Sequence, residues 1–174
     1  MKLNKLIAIA TISLLSGGIS MAQKALNLED IVAGNIIQTK GIGSMTWLKD
    51  GERYSRLENN KQTGGTDIVA YRAKDNSREV IIPSSLLTDK STGRPIPVRS
   101  VSWSADNEKV LIYNNTRRVW RYDTRGDYWV LNLKDGALRQ LGKGMPESSM
   151  MFAKFSPDGT RVAYVSNNNI YEKI

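Results

Sequence analysis

The 174-residue chain contains no cysteine and no histidine. The first absence removes disulfides, thiol catalysis, cysteine-based metal centres and a lipid-modified cysteine, so the fold must rest on packing. The second removes the imidazole that accepts and returns a proton in a Ser-His-Asp triad, so this chain cannot assemble one. A Gly-x-Ser-x-Gly nucleophile elbow is missing as well. "GIGS" at 41–44 lacks the third glycine and the following helix of a dinucleotide-binding loop, and is read as a turn. No apolar run reaches the roughly 20 residues needed to span a bilayer. The carboxylates form no pair suited to acid–base chemistry and no metal-ligand cluster. Asp50, Asp106, Asp135 and Asp158 instead fall in predicted turns, where a short carboxylate accepts from its own backbone. These observations predict no catalytic residue, no metal and no cofactor in this chain.

What is present begins with an export signature. Met1–Lys5 is basic, residues 6–15 are apolar and uncharged, and Ser20-Met21-Ala22 puts small residues before Gln23. We read residues 1–22 as a secretory signal peptide and expect an exported product: periplasmic, cell-surface associated or secreted, with no membrane span in the mature chain. Cleavage there leaves 23 basic and 17 acidic residues, a net +6 that is spread along the chain. An exported chain without a basic stripe is not expected to bind nucleic acid. The Asn-x-Thr at Asn114 is a glycosylation sequon by pattern alone.

"MTWLKDGERYSRL" (45–57), "VSWSADNEKVLIY" (101–113) and "AKFSPDGTRVAYV" (153–165) share an aromatic third residue, an Asp sixth, Gly or Asn seventh, and a hydrophobic or aromatic tenth. The spacings between their aromatic residues, 56 and 52, define a loose repeat. The middle repeat supplies four strands: residues 101–104, a long second strand through "VLIYNNTRRVWRYD" that turns at Thr124-Arg125-Gly126, then 127–133, then "ALRQL" after the Asp135-Gly136 hairpin signal. Four antiparallel strands per repeat predict an all-β chain of β-propeller blades, near 41–84, 98–143 and 150–174 with the last incomplete. The only helix expected is a turn near "LNLEDIVAG" (26–34). About two and a half blades fall short of the roughly four to eight that close a propeller. The chain is therefore expected to be a truncated piece of a longer propeller domain spanning 23–174 and beyond, or to associate with further copies.

The stretch "NNTRRVWRYDTRGDYWVLNL" (114–133) stands out. In one reading Arg117, Arg118 and Arg125 are solvated edge charges that discourage strand aggregation, with Trp120 and Trp129 as packing. In the other, an arginine enters the propeller cavity and holds a carbonyl or carboxylate with its fork of donors.

"VSWSADNEKVLIY", "VWRYDTRGDYWVLNL" and "FSPDGTRVAYVSNNNIYEKI", in that order, resemble the amino-terminal β-propeller of the dipeptidyl peptidase IV family, secreted serine exopeptidases related to prolyl oligopeptidase. The resemblance implies a propeller that covers a separate α/β-hydrolase domain, admits peptides and helps remove amino-terminal dipeptides ending in Pro or Ala. It also implies frequent dimers, and a substrate-binding role for Arg121, which matches the family arginine that follows Trp in the second strand and contacts a substrate carbonyl. The Tyr-Glu-Glu insertion that grips the substrate ammonium is absent from this chain. "SPDGTRVAYV" also resembles TolB-like propellers. The alternatives are therefore a non-enzymatic exported module that binds a protein or peptide, or an interrupted gene without a function of its own.

Overall fold

The computed structural model describes residues 27–32, 41 and 43–173; the expected signal peptide lies outside them. Residues up to Gly41 form one unit and the remainder a second. In the first, the expected helical turn is α1, Leu28–Val32, whose Leu28, Ile31 and Val32 are exposed. Among the described residues no helix is long and apolar enough to cross a membrane.

The second unit is all-β. Strands β1 (Met45–Trp47), β2 (Arg53–Asn59), β3 (Thr66–Arg72) and β4 (Arg78–Ile82) form an antiparallel sheet in sequence order. A 3-10 turn at Ser84–Leu87 and the small hairpin β5 (Thr88–Asp89) and β6 (Arg94–Pro95) lead to the next sheet. There β7 (Ser100–Trp103), β8 (Lys109–Val119), β9 (Tyr122–Asn132) and β10 (Leu138–Gln140) repeat the meander. The third sheet holds β11 (Met151–Phe155), β12 (Val162–Ser166) and β13 (Asn169–Lys173). The four-stranded blades expected from the repeat are thus formed.

Alternation along β8 explains how the sheets stack. Successive strand residues point to opposite faces. Val110 and Ile112 accordingly join Ile68, Ile82, Leu87 and Leu131 in one buried cluster, shared with the first blade. Leu111 joins Tyr128, Leu141, Met150, Val162 and Tyr164 in a second, shared with the third blade. Both faces of the middle blade are therefore interior. Each blade also stacks two tyrosines directly opposite each other on its second and third strands: Tyr54 on Tyr71, Tyr113 on Tyr128 and Tyr164 on Tyr171. Such cross-strand aromatic pairs stabilise a sheet by more than their buried area.

The turns between the first and second strands of the blades behave as their residues require. Asp50, Asp106 and Asp158 accept backbone N–H groups at 2.9–3.0 Å from Glu52, Glu108 and Thr160 respectively, and Asp135 does the same for Ala137 in the β9–β10 turn. Gly51, Asn107 and Gly159 occupy the left-handed position with φ of 69°, 58° and 68°. In the second and third blades a serine hydroxyl, Ser104 or Ser156, also donates to the aspartate. These bonds, with the backbone N–H, hold both Asp106 and Asp158 at about 2, well below the ordinary value of 3.8.

A carboxyl depressed by folding stabilises the native state above its unfolded value and loses that contribution as pH falls through its folded value. For Asp158 the window runs from about 3.8 down to about 2. We expect the Asp158 carboxylate resonance to titrate near 2 by NMR, and Ser156→Ala to move the midpoint upward. An unmoved midpoint would show that the hydroxyl contributes nothing.

Candidate functional site

The reversal between β8 and β9 differs from the one the sequence suggests. Their antiparallel register runs from Lys109↔Asn132 to Val119↔Tyr122, so the chain turns at Trp120-Arg121, four residues before Thr124-Arg125-Gly126. Both strands reach 11 residues. Beyond Asn114↔Asp127 they form a ribbon broken by two register shifts, one between Asn114 and Arg117 and one between Arg117 and Arg118. Bulges of this kind bend a ribbon and re-aim its side chains.

Gly126 invites a turn assignment, but its φ is not positive; it serves a close approach instead. A Cβ there would lie 2.4 Å from Tyr113 Cε2 and 2.7 Å from the Asn114 carbonyl oxygen. The true tip carries no glycine, and Trp120 adopts φ +62°, a conformation that β-carbon crowding disfavours. Trp120 is 95% exposed, so it is not core packing, whereas Trp129 packs partly buried against the first cluster. Arg121 therefore sits in the loop and not within the second strand.

Arg121 lines an open recess of about 550 Å³ together with Ser44, Arg99, Ser100, Tyr113, Arg118, Tyr122 and Asp123. Three guanidinium groups meet one carboxylate here. Asp123 is taken by Arg99 at 3.2 Å, and Arg118 donates weakly to the Arg121 carbonyl at 3.4 Å. Among the described residues no acceptor or carboxylate pairs with the Arg121 guanidinium, so its donors face the recess and solvent. Arg117 and Arg125 pair across the ribbon outside the recess lining, which fits edge charges. The recess can receive a carbonyl or carboxylate; guanidinium forks suit both.

The ribbon is anchored at its base. The Tyr113 hydroxyl donates toward the carbonyls of Asp123 and Arg125, 3.0 and 2.9 Å away. Burial, with the neighbouring Tyr128 and Asp123, pushes this phenol up to about 12, so it stays a neutral donor. Asp127, only 7% exposed, accepts the Ser148 N–H at 2.8 Å and the Asn115 side-chain amide at 2.6 Å. Gly126 exchanges backbone bonds with Met150, tying the base to the start of the third blade. Among the described residues no group of His, Cys, Asp and Glu could hold a metal.

The sequence singles out Arg121, which the structure places at the recess, but it gives no sign of Arg99 and Ser44, which approach from other parts of the chain, or of Asp127, whose partners lie 12 and 21 residues away.

Comparisons with known proteins bear on the fold and on what the chain resembles. Residues 104–173 match the model of the dipeptidyl peptidase IV N-terminal region. The probable dipeptidyl-aminopeptidase B of Aspergillus terreus is 26% identical over 165 residues, covering 90% of this chain and 18% of that protein. Dipeptidyl aminopeptidase B of Saccharomyces cerevisiae is 27% identical over 151 residues, 81% of this chain and 16% of the relative. The crystal structure of Porphyromonas gingivalis dipeptidyl peptidase 4 superposes with a TM-score of 0.62 at 23% identity, over 87% of this chain and 20% of that one, which bears on the fold. The chain thus spans less than a fifth of the length of the first two relatives. With its stacked four-stranded blades and the match across the second and third of them, the chain is similar over residues 104–173 to the N-terminal region of the dipeptidyl peptidase IV family.

Proposed function

We propose that this chain is the amino-terminal propeller portion of an exported serine exopeptidase that removes amino-terminal dipeptides ending in Pro or Ala. Residues 1–22 direct export. The propeller admits the peptide, and Arg121 donates to a substrate carbonyl. A hydrolase domain outside these 174 residues supplies the serine, aspartate and histidine. The observation that carries this reading is the convergence of Arg99, Arg118 and Arg121 on one recess beside a single carboxylate already held by Arg99.

The test is hydrolysis of an Ala-Pro or Gly-Pro reporter. The 174-residue chain releases no dipeptide, because it has no histidine base. A product extended through a hydrolase domain does release it. Cleavage within peptide chains but no dipeptide release by the extended form would overturn the exopeptidase reading.

A further inference from the structure

We propose that Asp127 is a positioning residue: through Asn115 and Ser148 it fixes the bend from which the β8–β9 ribbon projects, and so holds Arg121 over the recess. The inference rests on the substrate-contact reading of Arg121 for its functional consequence, though the mechanical part stands by itself.

The same device occurs in two blades. In the first, Asp67, 8% exposed, accepts the Ser84 N–H at 2.7 Å and the Asn60 amide at 3.0 Å. In the second, Asp127 accepts the Ser148 N–H and the Asn115 amide in the same way. Each aspartate stands near the start of the regular part of its blade's third strand. Each takes an asparagine from just beyond the regular part of the second strand and a backbone N–H from the connection toward the next blade. A buried carboxylate needs such donors, so the device closes a blade whether or not anything projects from it.

The two copies differ in the chain beyond the asparagine. After Asn60 the chain reverses within a short loop, which the Asn60 N–H closes by donating to the Gly65 carbonyl at 2.8 Å. After Asn115 the strands resume pairing and carry Arg117, Arg118, Trp120, Arg121 and Arg125 outward. The second copy has features that the first does not need. Asn115 lies at the register shift with φ +43°, and Ser148, at φ +52°, donates its hydroxyl to the Asn115 carbonyl at 2.6 Å. Asn115 is thus gripped by side chain and main chain together. A ribbon leaving a bulge has a soft direction unless the bulge itself is held. Here the hold is Asp127, buried and bonded on both oxygens.

The absence of cysteine makes the direct test simple. Spin labels at Arg117→Cys on the ribbon and Arg139→Cys on β10 of the same blade report the ribbon's direction as a distance distribution. In the full chain we expect one narrow distribution. Asp127→Ala should widen it about twofold or more, as expected of a segment released to open locally. Asp67→Ala, which breaks the same device in the first blade, should leave it unchanged. Asn115→Gly removes the amide donor while tolerating the positive φ, and should widen it even if Asp127→Ala fails to fold. An unchanged width in Asn115→Gly, or equal widening in Asp67→Ala, overturns the proposal.

In the form extended through a hydrolase domain, Asp127→Ala should lower kcat/KM about tenfold, and should add little when Arg121 is already alanine, because groups acting through one another are not additive. Additive losses would overturn the link to Arg121. A silent Arg121→Ala would overturn the substrate-contact reading instead, and the distance widths would still decide the positioning role.

Discussion

Arg121→Ala, in a form extended through a hydrolase domain as proposed above, should lower kcat/KM for an Ala-Pro reporter by roughly ten- to a hundredfold. A hydrogen bond from a charged donor is worth about 1.5–3 kcal/mol, and about 1.4 kcal/mol corresponds to a factor of ten. The Arg121 side chain reaches the recess from a two-residue loop, so its removal leaves the ribbon's strand pairs in place. Arg117→Ala, on the ribbon but outside the recess lining, should change the rate by less than about twofold, the size of an ordinary surface substitution. Equal losses at the two positions would mean that general positive charge matters and that Arg121 makes no particular contact. Full activity in Arg121→Ala would remove it from the substrate site.

Truncating β8 should reveal which blade interface is which. Ile112 and Leu111 are neighbours in sequence but belong to different buried clusters. Each change to alanine should cost about 2–5 kcal/mol, the range for a buried branched side chain whose cavity cannot fully collapse. Denaturant unfolding measures the loss, and native-state amide exchange locates it. Ile112→Ala should lower protection at Ile68 and Val69 in the first blade, and Leu111→Ala at Val162 and Tyr164 in the third. Val80→Ala, at an exposed position in β4, should stay within about 0.5 kcal/mol. Identical protection losses in the two β8 variants would show that the blades unfold only as one body.

The parts of the fold that were legible are those whose cause is local. The aspartate turns repeat because a carboxylate bonds to N–H groups two residues away, a contact that sequence spacing encodes directly. "TDIVAYR" and "REVII" occupy β3 and β4 because β-branched and aromatic residues suit a half-buried pleat. The ribbon tip was not legible. Its turn uses Trp120 at a positive φ where a glycine or asparagine would advertise it, while the nearby glycine answers to the Tyr113 ring. The Asp127 hold was equally hidden, since nothing within a few residues of Asp127 distinguishes it from an exposed strand charge. Only the folded chain brings Ser148 to it.

The two register shifts of the ribbon also bear on how such a chain can vary. From Asn114↔Asp127 to Arg117↔Arg125 the chain spends three residues on β8 and two on β9; from there to Arg118↔Asp123 it spends one and two. The surplus on one strand is returned on the other, so the tip is back in step with the blade. An insertion of matched residues at Trp120-Arg121 would lengthen the arm and leave Val110, Leu111 and Ile112 facing their own clusters. A single deletion near Thr116 leaves the count unbalanced and turns the tip residues to opposite sides. The arm is thus a segment that evolution or an engineer can exchange by length and composition, while the strands beneath it admit almost no change of register.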